Sequence, residues 1–384
     1  MTPPPSALPP SALPPSTPAA GIALWRAVGV QMPTEILWPA AHAGDAADLE
    51  ARKSANMACA LEMIDRAMAD DPSTRLILLP EYAFTGQPNG GTVAEWIEAA
   101  CEPVPGRFTT PLQEAARRHR IYLGGNQFEV DPEWPERFFN TSYLIAPDGS
   151  IILRYRRVHT AMWCSPHDIY DDYLSRYGGW ESLWPVVDTE LGRIGMIPCG
   201  EIAVPEVLRT MALRGTEVLL HPTWEVRSAP QDASKIAGAA ANGMYIVSVN
   251  AAASMSAGAV DDRPSGAPVG SGSRIVDPRG NTVDLLDTHE TGYVSAPIDV
   301  QAVRDLRADI SMANPLLRLR METVAPTYAG RRIYPPNAFL DLPLVRYPDI
   351  EGPAREALRS LHSVLDHAPR AVGLPIYSAE ETRP

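Results

Sequence analysis

The sequence predicts an α/β fold in which helices cover the faces of sheets. Three observations carry that expectation. Short apolar runs alternate with helix-length amphipathic stretches from residue 21 to residue 300. Hairpin signals are mixed in, the clearest being Pro147-Asp148-Gly149 between two apolar runs. Apolar residues make up 45% of the 384, enough for a sizeable core without disulfides or metals.

Ile22 to Gln31 reads as the first strand, ended by Pro33. A helix follows over 46–70, where Met57, Leu61, Ile64 and Met68 recur at the spacing of one buried face. Leu76 to Leu79 is a wholly apolar strand closed by Pro80-Glu81-Tyr82. A helix around 111–120 precedes a strand at 121–125 and a hairpin of strands 139–145 and 151–155. Residues 160–185 form an irregular, aromatic-rich segment. A strand then runs from Gly192 to Pro198, and a helix opened by Pro205 stops at Gly215. Next come a strand reaching His221-Pro222, a helix over 232–242 and a strand over 244–250. A Gly/Ser/Ala-rich loop covers roughly 251–273, and strands 273–277 and 293–297 flank the turn Pro278-Arg279-Gly280. Asp299 opens a helix rich in Arg and Asp, and a last helix spans 353–368.

This pattern divides the chain into a tail (1–20), a main domain (21–300) and a C-terminal extension (301–384). The tail repeats Pro-Pro-Ser-Ala-Leu and has neither a basic start nor a continuous apolar stretch. It reads as polyproline II or disorder rather than a secretory signal. No run approaches the ~20 apolar residues of a membrane span. The net charge of −13, with no long basic run, argues against nucleic acid or an anionic membrane as partner. Cys59, Cys101, Cys164 and Cys199 are scattered without a C-x-x-C pair, which fits a reducing, cytoplasmic setting. Val269-Gly270-Ser271-Gly272-Ser273 matches neither phosphate-binding glycine pattern, and the histidines lack metal-ligand spacing. No cofactor and no metal is implied.

Cys199 stands between a strand end and a helix start. Unpaired N–H groups and the positive end of a helix dipole favour thiolate there, the nucleophilic form. The alternative is a small buried hydrophobe, the usual fate of a free cysteine. Glu81 and Arg157 occupy equivalent settings, after Leu-Ile-Leu-Leu-Pro and Leu-Arg-Tyr-Arg.

In LILLPEYAFTG, NTSYLIAPDGSIILRYRRVH, GRIGMIPCGEIAVPEVLRTMALRGTEVLLHPT, NGMYIVSVN and GSRIVDPRG, the chain resembles the nitrilase superfamily of carbon–nitrogen hydrolases. The segments occur in the family's order and, with the first strand, span about residues 22–300. The resemblance implies a four-layer α-β-β-α sandwich, a Glu-Lys-Cys triad and pairing of identical chains, with the extension embracing a neighbour or covering the pocket. Carried over by position, Glu81 is the general base and Cys199 the nucleophile. Arg157 stands where the family has lysine, and the only lysines, Lys53 and Lys235, lie elsewhere. The family's second glutamate is missing between Arg157 and Glu181, and Asp168 is its best-placed substitute, the alternative being a solvated acidic loop. Trp224 and Glu225 follow a strand end and line the expected pocket mouth, unless Trp224 is a core plug.

Amide cleavage by a thiol needs a base for its proton and donors for the tetrahedral oxyanion. The backbone N–H of Gly200 and the guanidinium of Arg157 are the candidate donors. Arginine stays charged and presents a bulky planar fork, so it does not replace lysine freely. These readings lead to an amidase-like hydrolase that acts on a small amide, carbamoyl or nitrile compound through a Cys199 thioester. An acyltransferase can use the same thioester. The contrasting reading is an inert Glu81–Arg157 ion pair in a fold repurposed to bind a ligand or partner.

Overall fold

A computed structural model describes residues 21–38, 44–88, 91–160, 165–252 and 269–366. The Pro-rich tail, most of the 251–273 loop and Cys164 lie outside the described residues. Among the described residues, twelve strands form two six-stranded sheets. The first half of the chain supplies β1 (Trp25–Gln31), β2 (Thr74–Leu78), β3 (Tyr122–Val130), β4 (Phe138–Ile145) and β5 (Ile151–Arg156). The second half supplies β6 (Val186–Thr189), β7 (Gly192–Met196), β8 (Val218–Pro222), β9 (Tyr245–Val249), β10 (Ser273–Val276), β11 (Thr282–Leu286) and β12 (Gly292–Ile298). One sheet has the order β12-β1-β2-β3-β4-β5, the other β11-β10-β9-β8-β7-β6.

The sheets approach closely because glycine leaves room at two contact points. A Cβ on Gly29 of β1 would lie 2.5 Å from Val249 of β9. A Cβ on Gly124 of β3 would lie 3.4 Å from Leu220 and 3.5 Å from Met196. Leu76, Leu78, Ile194, Met196, Leu220 and Val294 belong to the core that spans this interface.

Helices close both outer faces. On the first sheet, α1 (Ala46–Asp70) starts at Asp45, whose side chain accepts a bond from the Asp48 N–H. It buries Ala60, Met63, Ile64 and Ala67 beside Val28, Val30 and Ile77. The short α2 (Val93–Ala100) packs Trp96 against Phe128. α3 (Thr109–His119) adds Leu112, Ala115 and Ala116 to the α1 cluster. α4 (Tyr170–Tyr177) lies within the aromatic-rich segment. On the second sheet, α5 (Pro205–Leu213) and α6 (Ala229–Asn242) pack Leu208, Met211 and Ala239 over Val218 and Ile246. The result is the expected α-β-β-α sandwich.

The differences from the sequence reading are local. α2 is additional, although Thr92 and Glu95 form a capping box that the T-x-x-E spacing encodes. β11 is additional too; it is a short edge strand whose Val283 and Leu285 face outward, so its apolar pattern does not mark a core. α7 (Val300–Ala308) buries Val300, Val303 and Leu306 in the sandwich, and α8 (Met321–Tyr328) and α9 (Glu351–Asp366) follow. Between α8 and α9 the chain docks on the turn at 165–169. The N–H groups of Asn337 and Phe339 donate to the carbonyls of His167 and Asp168, 3.0 and 3.1 Å. No helix among the described residues is long and apolar enough to cross a membrane.

Candidate active site

Glu81 lies three residues past the end of β2, and Tyr82 takes the left-handed conformation (φ 55°) that turns the chain there. Its carboxylate is wholly buried. Oε1 accepts a bond from Asn140 Nδ2 at 2.7 Å, and the same amide nitrogen lies 2.9 Å from the Tyr82 hydroxyl. Asn126 Nδ2 in turn donates to Asn140 Oδ1 (2.7 Å) and to Ser142 Oγ (3.0 Å), which fixes the orientation of Asn140. Asn126 of β3 faces Ser142 of β4, and Asn140 lies two residues along β4 on the same face. Glu81 Oε2, by contrast, has no hydrogen-bond partner among the described residues.

Pleating of β5 decides which arginine reaches this carboxylate. Arg154 and Arg156 point to Glu129, while Tyr155 and Arg157 turn the other way. Arg157 Nη1 lies 3.6 Å from Glu81 Oε1, beyond hydrogen-bond length. Arg157 Nε donates to the His159 carbonyl at 3.3 Å. The loop after β5 is held by Glu201, a buried carboxylate two residues past Cys199. Glu201 accepts bonds from the N–H groups of Val158 (3.0 Å) and His159 (2.7 Å) and from the Tyr155 hydroxyl (2.8 Å).

Cys199 ends the β7 unit in a left-handed conformation (φ 46°), which is strained for a residue with a side chain. His221 at the tip of β8 steadies it. The ring Nε2 donates to the Cys199 carbonyl at 2.8 Å, and Nδ1 accepts from Ser248 Oγ at 2.8 Å. Burial holds His221 neutral, its pKa lowered to about 3, so this tautomer persists at neutral pH. The Cys199 sulfur lies 3.8 Å from the Trp224 carbonyl.

The electrostatics correct one expectation. A single 3₁₀ turn, Cys199–Ala203, separates the thiol from α5, and the thiol is not held as thiolate. Desolvation and the charge of Glu81 push it up to about 12, against an opposing pull from Arg157. Burial likewise raises Glu81, and Arg157, Asn140, the Cys199 thiol and Tyr82 draw it partly back. Desolvation works against the Arg157 charge, and attraction to the ionised forms of Cys199, Tyr82, Glu81 and Glu201 outweighs it, so Arg157 is raised. Burial thus shifts both Cys199 and Glu81 towards their protonated forms, and Arg157 opposes that shift in each.

The structure thus gathers Glu81, Arg157 and Cys199 in one place. Gly200 belongs to the same cluster: a Cβ there would meet Arg157 Nη2 at 3.0 Å, so glycine lets the guanidinium close in. Trp224 is buried against Tyr82, with ring centroids 6.3 Å apart. Asp168 is used differently from the expectation. Its Oδ2 accepts bonds from Ser165 N (2.8 Å) and Ser165 Oγ (3.1 Å), capping its own turn, and burial raises it to about 6. Local chain geometry claims that carboxylate, and no hydrogen bond ties it to the other site residues among those described. Asn140, Glu201 and His221 were not among the expected site residues. A buried polar residue inside a strand, as at Asn140, was the available signal for one of them. No cluster among the described residues has the make-up to hold a metal ion.

The family model for carbon-nitrogen hydrolases matches residues 30–308. The chain belongs to the carbon-nitrogen hydrolase family, within the nitrilase superfamily. It is 28% identical over 246 residues to a probable nitrilase of Schizosaccharomyces pombe, covering 64% of this chain and 82% of that one. It is 25% identical over 261 residues to the mouse omega-amidase NIT2, covering 67% and 88%. It is 28% identical over 238 residues to an (R)-stereoselective amidase of Pseudomonas, covering 62% and 77%. Its fold matches the NitFhit protein of C. elegans (TM-score 0.58, 22% identity, 79% of this chain and 67% of that one). It also matches Saccharomyces cerevisiae Nit3 (TM-score 0.54, 22% identity, 75% and 95%).

Proposed function

We propose that the chain hydrolyses a small-molecule C–N bond, in an amide, carbamoyl or nitrile compound, through a thioester on Cys199. The observation that carries this reading is Glu81 Oε2, a buried carboxylate oxygen with no hydrogen-bond partner among the described residues, beside the Cys199 thiol and a guanidinium. A structural ion pair satisfies its carboxylate; this one is left half satisfied. Glu81 takes the thiol proton as sulfur attacks the carbonyl, and the tetrahedral oxyanion forms towards Arg157 and the Gly200 N–H. Glu81 then gives the proton to the leaving amine and afterwards draws one from the water that cleaves the thioester. Arg157 contributes fixed positive charge and takes no part in proton transfer. Trp224 walls the site.

The amidase and omega-amidase relatives support an amide as the substrate class. The exposed apolar side chains of Ile310, Met312 and Leu317 support pairing of copies through the extension. The test is ammonia release from a panel of amides, ω-amido acids, ureides and nitriles by wild type and Cys199→Ala, with mass spectrometry of the protein during turnover. Release that needs Cys199, with an acyl mass on the Cys199 peptide, is the expected result. Silence across the panel with no adduct would favour a ligand-binding role.

A further inference from the structure

Lys235 stands far in sequence from the position where the family resemblance places lysine, yet the fold pairs it with Glu225, next to the residue whose carbonyl touches the nucleophile. Its side chain on α6 is buried and pairs with Glu225, which is buried as well. Glu225 Oε2 accepts a bond from Thr223 Oγ1 at 3.1 Å. The residues between are held from behind: Asn250 Oδ1 accepts the Glu225 N–H (3.1 Å), and Asn250 Nδ2 donates to the Glu225 carbonyl (3.0 Å). The segment Thr223–Glu225 therefore lies against Cys199, with the Trp224 carbonyl 3.8 Å from the sulfur.

We propose that Lys235 is a positioning residue for Cys199: it neutralises Glu225, seats Thr223–Glu225 against the sulfur and leaves Glu81 as the carboxylate that acts on the thiol. The inference rests on Cys199 being the nucleophile. Glu225 and Glu81 both push the thiol towards its protonated form, so a second uncompensated carboxylate would oppose the attack. The other charges near Lys235 are accounted for. Asp232 is paired by Arg227 and Arg274, and His221 is neutral. Arg157 is on the opposite side of the thiol's electrostatic balance, where it favours the thiolate.

The rate of Cys199 alkylation by iodoacetamide at pH 8 tests this in the full chain, with the labelled site located by peptide mapping. Lys235→Met is expected to slow labelling by about 10- to 100-fold, one to two tenfold steps in thiolate fraction. Glu225→Gln is expected to speed it, and the double variant to return within about threefold of wild type. A loosened fold would expose the sulfur and speed labelling, so slowing by Lys235→Met is not the mark of structural damage. Should Lys235→Met not fold, faster labelling in Glu225→Gln and recovery in the double variant decide the matter. Labelling of Lys235→Met at or above the wild-type rate, or an unchanged rate in Glu225→Gln, would overturn the proposal. These rates need no substrate, so an absence of amide turnover would count against the hydrolase reading and leave this test standing.

Discussion

Glu81 and Glu129 are both buried carboxylates beside arginines of the same short run, and the fold treats them in opposite ways. Glu129 accepts Arg154 Nη1, Arg156 Nε and Arg156 Nη2, each at 2.9 Å, and Thr141 Oγ1 at 2.6 Å. Arg156 also binds Asp131 Oδ2 and lies 4.3 Å over the Phe139 ring. Every charge in that cluster has partners, which makes it scaffold. Glu81 has one firm bond and a second oxygen without a hydrogen-bond partner among the described residues, and its guanidinium stands off at 3.6 Å. The difference separates a saturated cluster that stabilises from an unsaturated one that can accept a proton.

Substitutions can break that contrast. Glu129→Gln strips the buried arginines of their charge partner and is expected to cost about 3–5 kcal/mol of stability, seen in urea unfolding. Its folded form should label at Cys199 at the wild-type rate. Arg157→Ala is expected to leave the fold in place and to lower kcat by about 10²–10³, the usual effect of removing one oxyanion donor. A large stability loss in Arg157→Ala would mean that the two clusters are not different in kind. Arg157→Lys sharpens the point, because an ammonium keeps the charge and loses the fork; turnover within about tenfold of wild type would show that charge matters more than shape.

The smallest effect concerns pH. His221 has its pKa lowered to about 3 by burial, so between that value and its ordinary 6.5 the unfolded chain binds the extra proton. Its contribution is full above about 6.5 and is lost progressively as pH falls towards 3. Asp168, raised to about 6 from 3.8, acts in the opposite sense, contributing below its ordinary value and losing that contribution as pH rises through 6. Asp168→Asn keeps a capping group and removes the buried charge. Its Tm at pH 8 is expected to match or slightly exceed wild type, and its acid limb between pH 4 and 6 to steepen, since the opposing His221 contribution remains.

The alternation of strands and helices was legible because the strands are short apolar runs and the helices carry a buried face, whereas the four-layer sandwich was legible only through the resemblance. Glu81 and Cys199 were legible as polar residues placed at strand ends. Arg157 stood out by the same strand-end setting, but its role came from the resemblance, since its neighbour Arg156 has the same chemistry and only the pleat tells them apart. Glu201 and Lys235 were not readable as site residues, because their partners lie 43 and 10 residues away and are brought in by packing. Asp168 misled for the converse reason: a local cap with Ser165 decides its orientation, and charge and spacing alone do not reveal it.

The most direct test of the central claim measures two rates in Glu81→Gln with the amide that wild type cleaves fastest. Turnover is expected to fall by about 10²–10⁴, the range for loss of a general base. Alkylation of Cys199 should not slow, because removing the Glu81 charge eases ionisation of the thiol. Near-wild-type turnover in Glu81→Gln would contradict the account.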